Sequence, residues 1–362
     1  MRKRDFIGLI GATALSIPRA GYAQTKTDMP LVGFLQTAKL ETSLAKARIT
    51  ALRKGLQEEG FVEGTNYSLA VRSNEGDVDR NRQIARELSG LNARVLVANG
   101  TLNYLVDSVF CTEGSYRGQK TPPNIARQCE VFYEWRRSFP DLPLVFCNVA
   151  ADPVALGIVQ SYAHPGGMVT GNVMNAVGGE ETMTQKRIGF FKELVPNLVR
   201  LGMIAPPNGA VAMEEKDALQ RVSAQLGFEV VHYDINTLDD LDSAVAAGLR
   251  DNVSAFYISG EPLMGSDVSR VVSSVTASGK PSVGPYPYWG QAGLLMSYST
   301  DPLDGLRHAG IYAGKILRGA KPRDLPIEQT SKFTLVINLK TAKALGISVP
   351  STLLAVADEV VE

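Results

Sequence analysis

The sequence predicts an α/β protein of two Rossmann-like lobes, each built on a largely parallel sheet, and three observations point there. At 362 residues the chain is longer than one ordinary core and suits two domains of roughly 150 residues each. From Pro30 onward, short apolar runs alternate with stretches of helical spacing, the β-α-β rhythm of a doubly wound sheet. Around Gly178 the same rhythm starts again.

The elements follow in order. Arg2, Lys3 and Arg4 precede an apolar stretch, Ile7 to Ile17, that Pro18 interrupts, and Gly21-Tyr22-Ala23 supplies small residues for cleavage. This reads as a signal peptide spanning 1–23, since the apolar run falls short of the ~20 residues a spanning helix requires. Lys3 to Ile7 also approximates a twin-arginine signal, so the export route stays open. Leu31 to Leu35 is a buried strand, and Leu44 to Glu59 a helix stopped by Gly60. Tyr67 to Arg72 and Arg94 to Ala98 read as strands around a helix at Asp79 to Leu91. Leu144 to Val149 is a strand covered on both faces, followed by a helix near Pro153 to Tyr162 and a strand at Val169 to Val173.

In the second series, helices are expected at Thr182 to Leu194, Val211 to Leu226, Leu238 to Leu249 and Ser266 to Ser278. Strands are expected at Leu201 to Ala205, Glu229 to Tyr233, Ala255 to Ser259 and Ser282 to Gly284. A helix at Asp304 to Leu317, a strand at Phe333 to Ile337 and a helix at Leu339 to Leu345 close the chain. The segment 110–140 interrupts the rhythm and reads as a surface insertion.

Lys+Arg and Asp+Glu both total 37, which gives no reason to expect a nucleic-acid partner, since that would need a basic face. In an oxidising compartment Cys111 and Cys129 are disulfide candidates, and closing their loop would contribute about 3 kcal/mol. Cys147, after an apolar run, reads as a buried free thiol. Neither the cysteines nor His164, His232 and His308 are spaced as metal ligands. The sequence has no G-x-S-x-G elbow, Walker A loop or H-E-x-x-H motif. An enzyme is therefore not expected, and no cofactor is called for.

Four passages carry a family resemblance. They are VGFLQTA at 32–38 with GLQEEGFVEGTNYSL at 55–69, ADPVALGIVQSYAHPGGMVTGN at 151–172, QAGLLMSYSTD at 291–301, and the tail 316–350. In these residues the chain resembles the substrate-binding proteins of ABC transporters related to the tryptophan/tyrosine-binding type. The resemblance implies the type I periplasmic binding-protein fold, in which three crossover strands join the two lobes. It places 29–175 with 294–326 in one lobe and 176–293 with 327–362 in the other. It also implies a periplasmic, monomeric protein that captures a small molecule for an ABC permease, with an aromatic or branched amino acid favoured. A ligand sensor that signals to a membrane receptor is the alternative, and an exported enzyme a more distant one.

Ligands in open α/β sheets bind outside the carboxyl ends of the strands. Those ends pick out Thr37, Asn99, Thr101, Asn148 and Asp152 in the first lobe, and Asn208, Glu261, Tyr286 and Trp289 in the second. Thr37, Thr101 and backbone N–H groups suit a carboxylate. Asp152 and Glu261 suit an ammonium, and Tyr286, Tyr288 and Trp289 an apolar side chain. Each has another possible role: Asp152 and Thr101 as helix caps, Glu261 as a solvated loop acid, the aromatic cluster as hinge packing.

Overall fold

The computed structural model describes residues 29–75, 77, 80–100, 115–116, 119–120, 140–149, 153–154, 158–174, 179–330 and 332–362. The expected signal peptide, Thr101, Cys111, Cys129, Asp152 and most of the 110–140 insertion lie outside these residues.

The first lobe contains β1 (Leu31–Gln36), α1 (Ser43–Glu58), β2 (Ser68–Ser73), α2 (Arg80–Gly90) and β3 (Ala93–Asn99). A short hairpin of β4 (Ser115–Tyr116) and β5 (Gln119–Lys120) follows, then β6 (Leu144–Val149) and β7 (Val169–Val173). α1 starts where the Thr42 hydroxyl accepts from the Ala45 N–H at 3.2 Å, and ends before Gly60, whose φ of 81° a Cβ would disfavour. Its buried stripe is Ala45, Arg48, Leu52, Gly55 and Leu56, the three- and four-residue steps of one helix face.

The second lobe contains α3 (Gly179–Leu194), β8 (Arg200–Ala205), α4 (Ala210–Leu226), β9 (Glu229–Asp234), α5 (Leu241–Arg250) and β10 (Ala255–Ile258). It continues through α6 (Pro262–Ser266), α7 (Val268–Ala277), β11 (Ser282–Gly284), α8 (Pro287–Ala292) and β12 (Met296–Thr300). The chain then returns to the first lobe as α9 (Pro302–Leu317) and β13 (Glu328–Gln329). It finishes in the second as β14 (Phe333–Asn338), α10 (Leu339–Ala344), α11 (Ser351–Val356) and β15 (Glu359–Val361).

The first sheet runs β13-β7-β6-β3-β1-β2, all parallel. The second runs β15-β14-β12-β11-β10-β8-β9 and is parallel except for the antiparallel pair β12/β14. In both, the second strand of the series flanks the first, so each sheet reverses direction beside its opening strand. Val32, Phe34, Val95 and Val145 meet α1 and α9 on one face of the first sheet, and Leu35, Leu96 and Phe146 meet α2 on the other. Burial on both faces is why these strands read as continuous apolar runs.

Three differences from the sequence expectation have physical causes. The residues expected as a helix at Pro153 to Tyr162 are, where described, turns and bends. The N–H groups of Ile158 and Val159 both reach the Pro153 carbonyl, a wider ring than an α-helix closes. The helix expected at 266–278 starts slightly later, at Val268, because Asp267 leaves helical geometry (φ −144°, ψ 79°) and its carboxylate caps the Arg270 N–H, while Ser266 ends a separate short helix before it. Lastly, β12 belongs to the second sheet, where Met296 and Tyr298 enter that lobe's core. Ile327 instead packs in the first lobe. The later crossings therefore fall between Thr300 and Pro302 and between Gln329 and Phe333, not at 294 and 327.

α1 and α9 cross closely because both are notched by glycine. A Cβ on Gly55 would overlap the Arg307 carbonyl oxygen, and one on Gly310 the Leu52 carbonyl oxygen. α9 is thereby fixed to the first lobe although its N-cap, Asp301, marks the crossing.

Candidate functional site

A cavity of about 40 Å³ lies where the carboxyl ends of the two sheets face each other. The first lobe contributes Thr37 after β1, Asn99 and Gly100 after β3, Asn148 near the end of β6, Met174 after β7, and Arg48 from α1. The second contributes Val211 from α4, Gly260, Pro262 and Gly265 after β10, and Tyr286 and Tyr288 after β11, while Pro302 closes the side by the crossing. Ligands reach a cleft between two such lobes when the lobes part. Lys39 spans the gap through its N–H to the Ser266 carbonyl and its ammonium to Asp267, both at 3.4 Å. Both contacts are long, and the ion pair is only part-buried, so it contributes little.

The first-lobe wall is fixed by three asparagines. Asn148 stands at φ 58°, a backbone conformation Asn tolerates better than most residues. Its amide donates to Asn99 Oδ1 at 2.7 Å and to the Pro302 carbonyl at 2.9 Å. Its backbone N–H donates to Asn172 Oδ1 at 3.0 Å, and the Asn172 amide donates to the Gly305 carbonyl at 2.7 Å. The strand ends are thus tied to the first turn of α9. Arg48, on the buried stripe of α1, donates to the Thr37 hydroxyl at 3.1 Å.

Aromatic residues form the second-lobe wall. The Tyr286 and Tyr288 rings lie 5.4 Å apart, with their hydroxyls beside Gly260 and Gly265, where a side chain would crowd them. Burial raises both phenols well above their ordinary range, so they remain neutral donors. The loop holding Gly260 is clamped twice. The Glu215 carboxyl of α4 accepts from the Gly260 N–H at 3.0 Å and, at 2.5 Å, from the Ser259 hydroxyl. Glu261 reaches back to accept from the Ala212 N–H at 2.9 Å.

Behind Glu215 runs a buried network. Tyr257 donates to Glu215 at 2.9 Å, and Arg187 donates to Tyr257 at 2.7 Å, to Glu180 at 3.1 Å and to the Tyr298 carbonyl at 2.8 Å. Removal from water and the Glu180 charge push the Glu215 carboxyl up to about 8, against the pull of Arg187, Ser259 and Gly260. A carboxyl that holds its proton more tightly folded than unfolded contributes stability in full below its ordinary value of 4.5, and loses it as pH rises through the folded value. Thermal melts should therefore show stability falling between about pH 5 and about pH 8, with a flatter profile in Glu215→Gln. Equal slopes in both proteins would remove Glu215 from the effect.

Of the residues singled out by sequence, Thr37, Asn99, Asn148 and Tyr286 come together on the cavity. Trp289 does not: it is fully buried among Ile258, Met264 and Val272, behind Tyr288. Glu261 is buried and turned toward the start of α4, and Asn208 is exposed in the loop before it. Thr101 and Asp152 lie outside the described residues. Sequence reasoning missed Arg48, although a charged residue on the apolar stripe of a helix is itself a signal. It also missed Arg187 and Glu215, which only the fold brings together. Cys147 is a buried free thiol, and burial pushes it far above the usual thiol range. Among the described residues no group of His, Cys, Asp and Glu is placed to hold a metal ion. Among the same residues no helix is long and apolar enough to cross a membrane.

The sequence profile of a family described as "ABC transporter substrate binding protein" matches residues 136–361. A tyrosine-binding protein of Clostridioides difficile (strain R20291) is 23% identical over 304 residues, 84% of this chain and 77% of that protein. Among solved structures, the ABC domain in complex with L-Trp from Streptococcus pneumonia has a TM-score of 0.72 at 22% identity, covering 92% of this chain and 100% of that one. A conserved domain protein from Vibrio cholerae has a TM-score of 0.73, also at 22% identity, covering 92% and 99%. Likenesses of this size establish the two-lobed, type I periplasmic binding-protein fold.

Proposed function

Because this chain belongs to the family of ABC transporter substrate-binding proteins, we propose that it captures an aromatic amino acid between its lobes and delivers it to a membrane permease. The protein is a binding protein, not an enzyme. The observation that carries the ligand assignment is the cavity's two-sided chemistry: two tyrosine rings on one wall, hydroxyl and amide groups on the other. Rings stack on an aromatic side chain, and the polar wall takes the ligand's charged end. The tyrosine-binding relative and the L-Trp complex support the same class. In this reading the chain is exported, loses residues 1–23, works as a monomer in the periplasm, and closes its lobes over the ligand to present a face to the permease.

The test is calorimetry on the protein lacking residues 1–23 with the common amino acids. L-tyrosine or L-tryptophan should bind, and at one hundred times Kd should add about 2.7 kcal/mol of stability. Tyr286→Ala and Tyr288→Ala should each weaken binding at least tenfold, about 1.4 kcal/mol. Unchanged affinity in both variants would place the ligand elsewhere, and a flat response to every amino acid would end the assignment.

A further inference from the structure

We infer that Arg48 is the anchor for a carboxylate group of the ligand, and that the cavity selects small monocarboxylates over amines and neutral solutes. The inference deepens the proposed function and rests on the inter-lobe cavity being the ligand site.

Arg48 is only 6% exposed, yet among the described residues it pairs with no carboxylate. Among the same residues its hydrogen bond goes to the Thr37 hydroxyl, and its Nε, also buried, has no partner. A guanidinium out of water needs an anion and partners for its five donors. Burial pulls its proton affinity below the usual arginine range, and no acid group compensates; the neighbours it feels are Tyr288, Cys147 and Tyr286. Nothing in the first lobe's packing requires a charge here, since the flanking positions of the stripe are Ala45 and Leu52.

Position gives this cation a role. Arg48, Tyr288 and Pro302 line both the small cavity and a larger groove of about 620 Å³ running along α1, α7 and α8 beside the crossings. Thr37 accepts from Arg48 and so keeps its own hydroxyl proton to donate to the same anion. Planar guanidinium and planar carboxylate match in two parallel hydrogen bonds. Arg48 is the one charged residue among the described residues lining the small cavity. That wall therefore balances a single negative charge, which suits a carboxylate and falls short of a phosphate dianion.

The experiment uses matched ligand sets. Wild-type protein lacking residues 1–23, Arg48→Gln and Arg48→Met are titrated calorimetrically with L-tyrosine, L-tryptophan and L-leucine. Each amino acid is accompanied by the amine lacking its carboxylate and the acid lacking its ammonium. Removing the carboxylate should cost at least 100-fold and more than removing the ammonium. Both Arg48 variants should lose at least 100-fold for every acid that binds. The unliganded thermal midpoint of Arg48→Met should stay at or above that of wild type, whereas a residue needed only for folding would lower it.

An amine bound as tightly as its acid, or an Arg48→Gln protein with wild-type affinity, would overturn the inference. Gly265→Leu, which fills the cavity from the opposite wall, separates the two failures. If it abolishes binding while Arg48→Gln does not, the cavity is the site and the anchor alone is wrong. If neither variant changes binding, or no amino acid binds the wild type, the proposed function falls as well.

Discussion

Replacing Arg187 with methionine is expected to cost about 3–5 kcal/mol of stability, the range seen when one partner of a buried pair is removed. Arg187 is 1% exposed and serves Glu180, the Tyr257 hydroxyl and the Tyr298 carbonyl together. Its loss leaves Glu180 without its cation, and the Tyr298 carbonyl in β12 without that donor. Arg187→Lys should recover only part, because one ammonium cannot reproduce the fork that meets a backbone carbonyl and a phenol at once. Urea unfolding provides the measurement: the midpoint should fall with little change in slope. A methionine variant within about 1 kcal/mol of wild type would show that the network is not held by this residue. The effect should reach the cavity as well, since the network ends on Glu215 and thus on the Gly260 N–H.

The second large effect is steric. Gly310→Leu should destabilise by about 3 kcal/mol, at the upper end of typical overpacking, since the obstacle is backbone that cannot swing aside. Gly55→Leu should behave alike, and the double variant should fall short of additivity because both displace the same helix crossing. Gly189→Ala is the contrast. Gly189 lies within α3 with open space where a Cβ would go, so alanine should be neutral or stabilise by up to about 1 kcal/mol. Melts of the three proteins would show whether close approach, and not glycine content, governs these positions. Comparable losses at all three would refute the crossing argument.

The alternation of elements was legible because strands covered on both faces must be continuously apolar, as at Leu144 to Val149, while helices over them show one stripe, as in α1. The crossings were not legible in the same way. Met296 to Thr300 reads like any buried strand, and only its neighbours in space, β11 and β14, assign it to the second lobe. For the candidate site, the rule that ligands lie beyond strand carboxyl ends led to Thr37, Asn99, Asn148 and Tyr286. It could not separate Tyr288 from Trp289. These lie next to each other on a short helix whose turn sends one ring to the cavity and the other into the core. Glu261 looked like a loop acid free to meet an ammonium; that it spans to Ala212 depends on a contact between segments far apart in the chain. Arg48 could have been found from its place between Ala45 and Leu52.

The return of α9 to the first sheet sets a timetable for biosynthesis. Val32, Phe34 and Val145 are covered by Leu306, Ala309 and Ala313, and β7 gains its outer neighbour only from Glu328 and Gln329. A nascent chain that has just completed β7 therefore carries a sheet with one apolar face covered by α1 but not yet by α9, and it stays so while the ribosome makes α3 through β12. Premature termination anywhere in that interval yields a product that is sticky and protease-sensitive. The lobe begun first is thus completed only at Gln329, after most of the second has been made, and the two mature close together near the end of translation.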